Sequence, residues 1–362
     1  SDWNGPYQQI FYANVVIDGL QMIKPSAGEE RLWKSLQGSA FFYRAMALFQ
    51  LANQFCVPFD SSTASIAYGI PRKTSSDINE RPGRGNLNDL FGNIVDELEL
   101  ASELLPELPQ PSLLSRPSKL AAYALLARVH LVMGNYDRAG FYAGECIRMK
   151  PGLLDYNTLS LTSNRPISFN VAANSEVIYW HWMFSYQFGS STIVGVSQDI
   201  VSSYVANDLR KGIFLRDRGN GLYTFKGNYT GDSYLFTGMA VDEMYLIRAE
   251  CRARLLDANG AMADLNHLLK HRWSNKVVFV PLIARDSGHA LEIVLSERRK
   301  ELLTRGLRWS DLRRLNKDQR FVKTIERIIG TERRLLEPNS ALYIFPIPIN
   351  EISGSGIEQN ER

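Results

Sequence analysis

From the first residues, apolar positions recur every three or four places, the period of one face of an α-helix. Ile10, Ala13, Ile17 and Leu20 mark one such face, which ends near Pro25 and Gly28. A second helix is expected to begin at Glu29 and Glu30, acids suited to the positive end of a helix dipole, and to run to about Cys56. It carries Phe41, Ala45, Leu48, Ala52 and Phe55 on one stripe and Phe42 and Phe49 beside it. Two adjoining stripes predict contacts on two sides, as in a stacked array of helices. The pattern breaks over 57–86, where Pro58, Gly69, Pro71, Pro82, Gly83 and Gly85 punctuate a Ser- and Thr-containing stretch. A loop this long inside a compact domain is uncommon and is usually functional or disordered. Leu87, Leu90, Ile94, Leu98, Ala101 and Leu105 then restore the helical period until Pro106 stops it.

Two later stretches share one plan. Residues 118–151 place Ala122, Leu125, Leu126, Val129 and Val132 on one face, turn at Gly134-Asn135, and restart with Tyr136, Ala139, Ala143 and Cys146 before Pro151. Residues 241–272 do the same around Asn259-Gly260, with Ala249 and Ala253 before the turn and Leu265, Leu268 and Leu269 after it. Small residues where helices cross, with a Gly turn between them, resemble tetratricopeptide units. The helices at 29–56 and 87–105 read as a third, degenerate unit. Such units bury their faces only by stacking. The expected fold is therefore all-α, a tetratricopeptide-like α/α superhelix with long irregular insertions containing a few short strands. One domain spans 1–362, with a helical repeat core at 29–151 and 241–320 and loop-rich insertions at 57–86 and 152–240. Beyond the repeats, helices are expected at Ala290–Arg305, ended by Gly306, and at Ser310–Leu315, while Pro346 and Pro348 exclude helix from the stretch around them.

Charge and composition narrow the function. With 41 Lys and Arg against 38 Asp and Glu the net charge is +3, and no basic block stands out, so a nucleic-acid footprint is absent. No run of 18 apolar residues offers a membrane span. Ser1 is no initiator, and 1–7 has neither a basic nor an apolar leader region, so a signal peptide or lipidated Cys would lie upstream. Cys56, Cys146 and Cys251 are too few and too far apart for a disulfide framework or zinc cluster and read as buried small hydrophobes. His267 and His271 share a helix face, but Leu268 stands where a metalloprotease needs Glu, and no third ligand is identifiable, so no metal is assigned. No Gly-x-Ser-x-Gly elbow, Walker loop or dinucleotide fingerprint occurs. The charged run from Glu297 to Arg314 reads as ion pairs between helices rather than an anion or catalytic site. No catalytic residue and no cofactor are expected.

The aromatic insertions remain. Flat rings take the C–H faces of sugars, and neighbouring Asn, Asp and Arg bond the hydroxyls. Trp180, Trp182, Phe184 and Tyr186 alternate, so on one strand they would share a face, although the flanking Val177 and Ile178 suggest that Trp180 is buried. The ligand-binding candidates are Tyr229, Tyr234, Asn228, Asp232, Trp182 and Tyr186 in the second insertion and Tyr68 and Arg84 in the first.

Three pieces in this order resemble the SusD/RagB family of outer-membrane nutrient-binding lipoproteins: VDEMYLIRAECRARL with NGAMADLN, SERRKELLTRGLRWSDLRRL at 296–315, and FPIPINEI at 345–352 with IEQN at 357–360. Trp3, Tyr7, Ala13-Asn14 and GSAFFYRAMALFQL at 38–51 agree with it. The chain departs at Ser353–Gly356 and at Asn360-Glu361-Arg362, where family members carry other endings. The resemblance implies non-catalytic capture of an oligosaccharide at the cell surface for a SusC-like TonB-dependent transporter. It also implies a place on the extracellular face of the outer membrane, held only by an upstream lipid anchor. Some members take peptides, so oligopeptide capture is the variant reading. A tetratricopeptide scaffold that binds only proteins is the competing class.

Overall fold

The structure, a computed structural model, describes residues 1–362 apart from 169, 171–172, 184–190, 228 and 233. Along the chain run α1 (Asn4–Gln21), α2 (Glu30–Phe55), α3 (Leu87–Leu104), α4 (Lys119–Met133) and α5 (Tyr136–Met149). Short elements follow: β1 (Val177–Tyr179), β2 (Trp182–Met183), α6 (Gln198–Val201), α7 (Leu209–Phe214), β3 (Leu215–Asp217), β4 (Tyr223–Phe225), β5 (Leu235–Phe236) and β6 (Met239–Ala240). Then come α8 (Val241–Arg254), α9 (Ala258–Lys270), α10 (Ser287–Glu301), α11 (Arg308–Leu315), β7 (Ile325–Ile329), β8 (Glu332–Leu336) and α12 (Ile349–Ser355). The fold is mainly α with only short strands, as the apolar periods predict. Two compact units form, the first from Ser1–Glu107, Val132–Gly134 and Trp309–Arg362, the second from Leu108–Leu131 and Asn135–Arg308.

In the first unit α2 packs against both α1 and α3, which explains its two apolar stripes. The helices are also bolted by charge. Buried Arg44 holds Glu97 of α3 at 2.9 Å and donates to Asn14 Oδ1 of α1 at 2.7 Å. Removing Glu97 would strand the buried Arg44, while removing Arg44 would leave Glu97 with only the partly exposed Arg72, at 3.0 Å. The Asn14 amide in turn donates to the carbonyls of Lys73 and Ser75, and the Asp18 carboxylate accepts from the Ser76 amide. The proline- and glycine-rich stretch 57–86 is thereby held by side chains of α1 as well as by its own buried Phe59, Ala64 and Ile70. Asn86 then caps α3, its side chain accepting from the Asp89 amide at 2.8 Å.

The unit's tail holds an antiparallel hairpin, β7 with β8, that the apolar pattern does not mark. Its turn places Gly330 at φ 63°, a left-handed position suited to glycine.

The second unit contains two helix pairs. Cys146 of α5 lies against the Leu120 carbonyl of α4, and α8 packs on α5, α9 and α10. A Cβ at Gly140 would stand 3.2 Å from the Cys251 Cβ, so small residues do mark the close approach of α5 and α8. Asp257 caps α9 by accepting from the Gly260 amide, and any Cβ at Gly260 would fall 1.9 Å from that carboxylate. The Asp257 cap of α9 therefore depends on glycine at 260.

Helix α10 begins three residues before the expected Ala290, because Asp286 caps it by accepting from the His289 amide at 2.8 Å. It ends at Glu301 rather than Arg305, since Thr304 at φ 60° and Gly306 at φ 75° leave the helix. The non-helical part of this unit has its own core, which includes Tyr156, Val177, Ile213, Phe214, Phe225, Tyr229 and Phe236. Its ladders pair β1 with β6, β2 with β5 and β3 with β4, all antiparallel.

Candidate functional site

The second insertion rests on a buried lattice of ions. Arg272 holds Glu176 and Glu301, each at 2.7 Å, and its guanidinium lies 4.1 Å from the centre of the Tyr156 ring. Arg210 holds Asp208 and Glu297 at 2.6 Å and Glu301 at 3.1 Å. Arg305 reaches Asp242 at 3.1 Å. The charged run on α10 is thus internal, its carboxylates satisfied by the planar forks of arginines. Tyr229 stands in this lattice, 1% exposed. Its hydroxyl lies against Glu176 and, at 3.1 Å, Asp242, and its ring is 4.9 Å from the Arg305 guanidinium. One hydroxyl proton cannot serve two carboxylates at once. Burial, opposed by Arg272 and reinforced by Asp242 and Glu301, pushes the Glu176 carboxyl up to about 7.

Above this foundation the same loop turns outward. In the β2–β5 ladder Trp182 pairs with Phe236 and Met183 with Leu235. Phe236 is fully buried, whereas Trp182 is half-buried and Tyr234 is 43% exposed. The Trp182 and Tyr234 rings are 4.5 Å apart at 42°. Beside Tyr234, Asp232 pairs with Arg165 at 2.9 Å, both side chains reaching solvent. The Thr230 hydroxyl pins the turn by donating to the Tyr234 carbonyl at 2.7 Å, while the Asp232 amide donates back to it at 3.2 Å. Two rings, a carboxylate and a guanidinium on a short pinned loop can take a flat C–H face and bond polar groups at its edge.

Trp180 and Trp182 do not share a face. β1 and β2 pair with different strands, and between them the His181 carbonyl accepts from the amides of both Thr237 and Gly238. Trp180 packs against the insertion's core, which leaves Trp182 with Tyr234. Phe184, Tyr186 and Asn228 lie outside the described residues.

In the first unit, Tyr68 is 53% exposed and its ring is 5.0 Å from the Arg84 guanidinium. Arg84 itself is buried, donating to the carbonyls of Gly69 and Glu358 and to Asn360 Oδ1 at 2.8–3.0 Å. Arg84 and Tyr229 thus hold loops from inside and present no free face to a ligand in this conformation. Of the expected residues, the structure brings together Trp182, Asp232 and Tyr234. It adds Arg165 and Thr230, which sequence reasoning passed over. Thr230 is legible in principle as a hydroxyl residue in a Gly- and Asp-containing turn, but nothing in the spacing links Arg165 to Asp232.

The histidine pair is packed rather than poised: the His267 ring stacks on Tyr245 at 5.0 Å, and His271 Nδ1 contacts the His267 carbonyl at 3.0 Å. Among the described residues no group of three His, Cys, Asp or Glu could hold a metal ion, and no helix is long and apolar enough to cross a membrane.

Comparison with known proteins adds independent observations. A family described as starch-binding and associating with the outer membrane matches residues 1–131, and the SusD family matches residues 226–361. No curated protein matches the chain. Among solved structures, a SusD superfamily protein from Bacteroides vulgatus is similar with a TM-score of 0.80 and 22% identity, over 99% of this chain and 84% of that one. A SusD-like carbohydrate binding protein from the same organism gives 0.75 and 20%, over 98% and 82%. A laminarin-binding SusD-like protein gives 0.69 and 19%, over 99% and 85%. At such identities these likenesses speak for the fold.

Proposed function

This chain belongs to the SusD/RagB family, and on that premise we propose that it captures a nutrient oligosaccharide at the cell surface, without breaking it, and delivers it to a TonB-dependent transporter. The family is one of carbohydrate-binding proteins rather than enzymes and is associated with the outer membrane. The finer reading places the chain on the extracellular face through an upstream lipid anchor. It treats 1–362 as one working domain, with the helix pairs at 118–151 and 241–272 as tetratricopeptide-type supports.

The observation that carries the reading is the Trp182–Tyr234 pair with Asp232 and Arg165 beside it. Stacking on rings costs a sugar little desolvation, and charged groups at the rim bond hydroxyls without a deep pocket. Tyr68 in the first insertion is a second exposed ring of the same kind.

The test is a glycan and peptide binding screen by calorimetry on the wild type, Trp182→Ala and Tyr234→Ala. A glycan bound by the wild type and weakened by about tenfold in each variant is expected, the loss of roughly one stacking contact. Glycan binding unchanged in both variants would remove the site. Binding of oligopeptides alone would replace the ligand class.

A further inference from the structure

The hairpin of β3 and β4 sorts its charges by face. Its register pairs Leu215 with Phe225, Arg216 with Thr224 and Asp217 with Tyr223. The ladder runs on at both ends, where the Arg218 amide donates to the Leu222 carbonyl at 2.9 Å and the Lys226 amide to the Phe214 carbonyl at 2.7 Å. Side chains alternate along a strand, so Arg216, Arg218, Thr224 and Lys226 share one face. Leu215, Asp217, Tyr223 and Phe225 take the other, which turns Leu215 and Phe225 into the core. The contacts agree with this sorting. Arg218 Nε donates to Thr224 Oγ1 at 3.0 Å, Arg216 donates to Asn164 Oδ1, and the Lys226 ammonium donates to the carbonyls of Leu161 and Gly212 at 2.6 and 2.8 Å.

Elsewhere in this unit Arg128, Arg248 and Arg272 each hold an acid at 2.6–2.7 Å. Arg216, Arg218 and Lys226 meet no carboxylate among the described residues. Asp217, the nearest acid in sequence, is on the opposite face and accepts from the Gly219 amide at 2.8 Å. Burial, and after it the neighbouring Arg216 guanidinium, holds the Lys226 ammonium below its usual value. Cations side by side with no acid between them raise the local concentration of anions. The strip also adjoins the ledge. Asn164, which receives Arg216, is followed by Arg165, the partner of Asp232. Lys226 is followed by Gly227, where a Cβ would stand 3.2 Å from the Asp232 carbonyl oxygen. A chain lying on Trp182 and Tyr234 therefore continues onto the cations.

Resting on the ring-based capture read above, we propose that the ligand is an acidic glycan: Arg216, Arg218 and Lys226 form a subsite for the carboxylate or sulfate groups of a saccharide whose rings lie on Trp182 and Tyr234. The remaining N–H groups of each guanidinium can bond two oxygens of either group, and Lys226 adds a point charge. No basic run in the sequence announces this strip, because the pairing of β3 with β4 assembles it.

The experiment uses calorimetry with two matched pairs of probes, polygalacturonate against its methyl ester and dextran sulfate against dextran. The proteins are the wild type, Arg216→Gln/Arg218→Gln, Arg216→Lys/Arg218→Lys and Trp182→Ala, with thermal melts to check folding. Arg218→Gln alone, at an exposed position, replaces the double variant if the latter melts early. The charged member of one pair is expected to bind at least about tenfold more tightly than its neutral counterpart, and the glutamine variant to lose about tenfold of that affinity. The lysine variant should restore part of it, and raising salt from about 50 mM to about 300 mM should weaken it. The pair that responds distinguishes carboxylate from sulfate. Equal binding of charged and neutral members, or of wild type and glutamine variant, would overturn the strip. So would failure of both charged probes to bind. In each case the ledge is judged separately, by the Trp182→Ala and Tyr234→Ala variants against the glycan of the screen. Polyglutamate bound as tightly as the acidic saccharides would overturn the proposal in favour of unselective attraction of polyanions.

Discussion

Tyr229 and Tyr234 occupy one short loop and belong to two different regions. Tyr229 points down, with its hydroxyl between Glu176 and Asp242 and its ring beside Arg305. Tyr234 points out, its ring tilted against that of Trp182, next to an ion pair that water can reach. Each region is made of tyrosine, arginine and acids, yet the chemistry differs with burial. Inside, every charge needs a partner and the loss of one strands another. Outside, the same pairing is exposed to solvent and contributes little to stability. The buried lattice therefore holds the fold, and the outer ledge is the surface proposed above for binding.

The division can be broken most forcefully at Arg272. Replacing it with Met leaves Glu176 buried without its cation and Glu301 with Arg210 alone, at an expected loss of about 3–5 kcal/mol, read by urea denaturation. A loss below about 1 kcal/mol would mean that the lattice is not what supports the insertion.

The next test uses pH. Burial raises the Glu176 carboxyl from about 4.5 to about 7, so its stabilising contribution is complete below about 4.5 and fades as pH rises towards 7. The Glu176→Gln variant lacks that titration. Its stability is expected to improve relative to the wild type across this window, followed by urea midpoints at several pH values. Parallel pH curves for the two proteins would rule out a raised carboxyl at this position.

A smaller effect separates the two tyrosines. Tyr229→Phe should cost about 1–2 kcal/mol through its lost hydrogen bond and leave ligand affinity unchanged. Tyr234→Ala should do the reverse, changing affinity in calorimetry while leaving the melt in place. The smallest expected effect is that of Arg165→Ala on stability, below about 1 kcal/mol because the pair it breaks is exposed. A larger shift in its melt would place Arg165 with the structural set instead.

The helical parts of this architecture are legible from residues alone. Leu90, Ile94, Leu98 and Ala101 repeat with the helical period and are buried together in α3, and Pro106 falls just past its end. The hairpin of β7 and β8 is not legible, because its strands are almost wholly exposed and mix arginine and glutamate with isoleucine and leucine on both faces. No apolar face is buried there, so no period of two is imposed. The outer ledge is half legible. Trp182, Asp232 and Tyr234 belong to a stretch whose composition already suggests ring-based recognition. Which tyrosine faces water depends on partners far away in sequence. Tyr229 is buried because Glu176 and Asp242 come together beneath it, and local composition cannot report that.

The first unit is closed by segments far apart in sequence, and that sets an order of events during synthesis. Arg84 waits for Glu358 and Asn360, and the carbonyls of Asn53 and Cys56 wait for Arg313. The Gln54 carbonyl receives the Phe345 amide at 2.8 Å. The second unit is complete once residue 308 has emerged. With translation proceeding at roughly 5–20 residues per second, the middle of the chain can fold while the ends of the first unit are still apart. Helices α1 to α3 emerge before the residues that seal them, and a chain cut short of residue 345 would leave Arg84 and the Gln54 carbonyl without these partners.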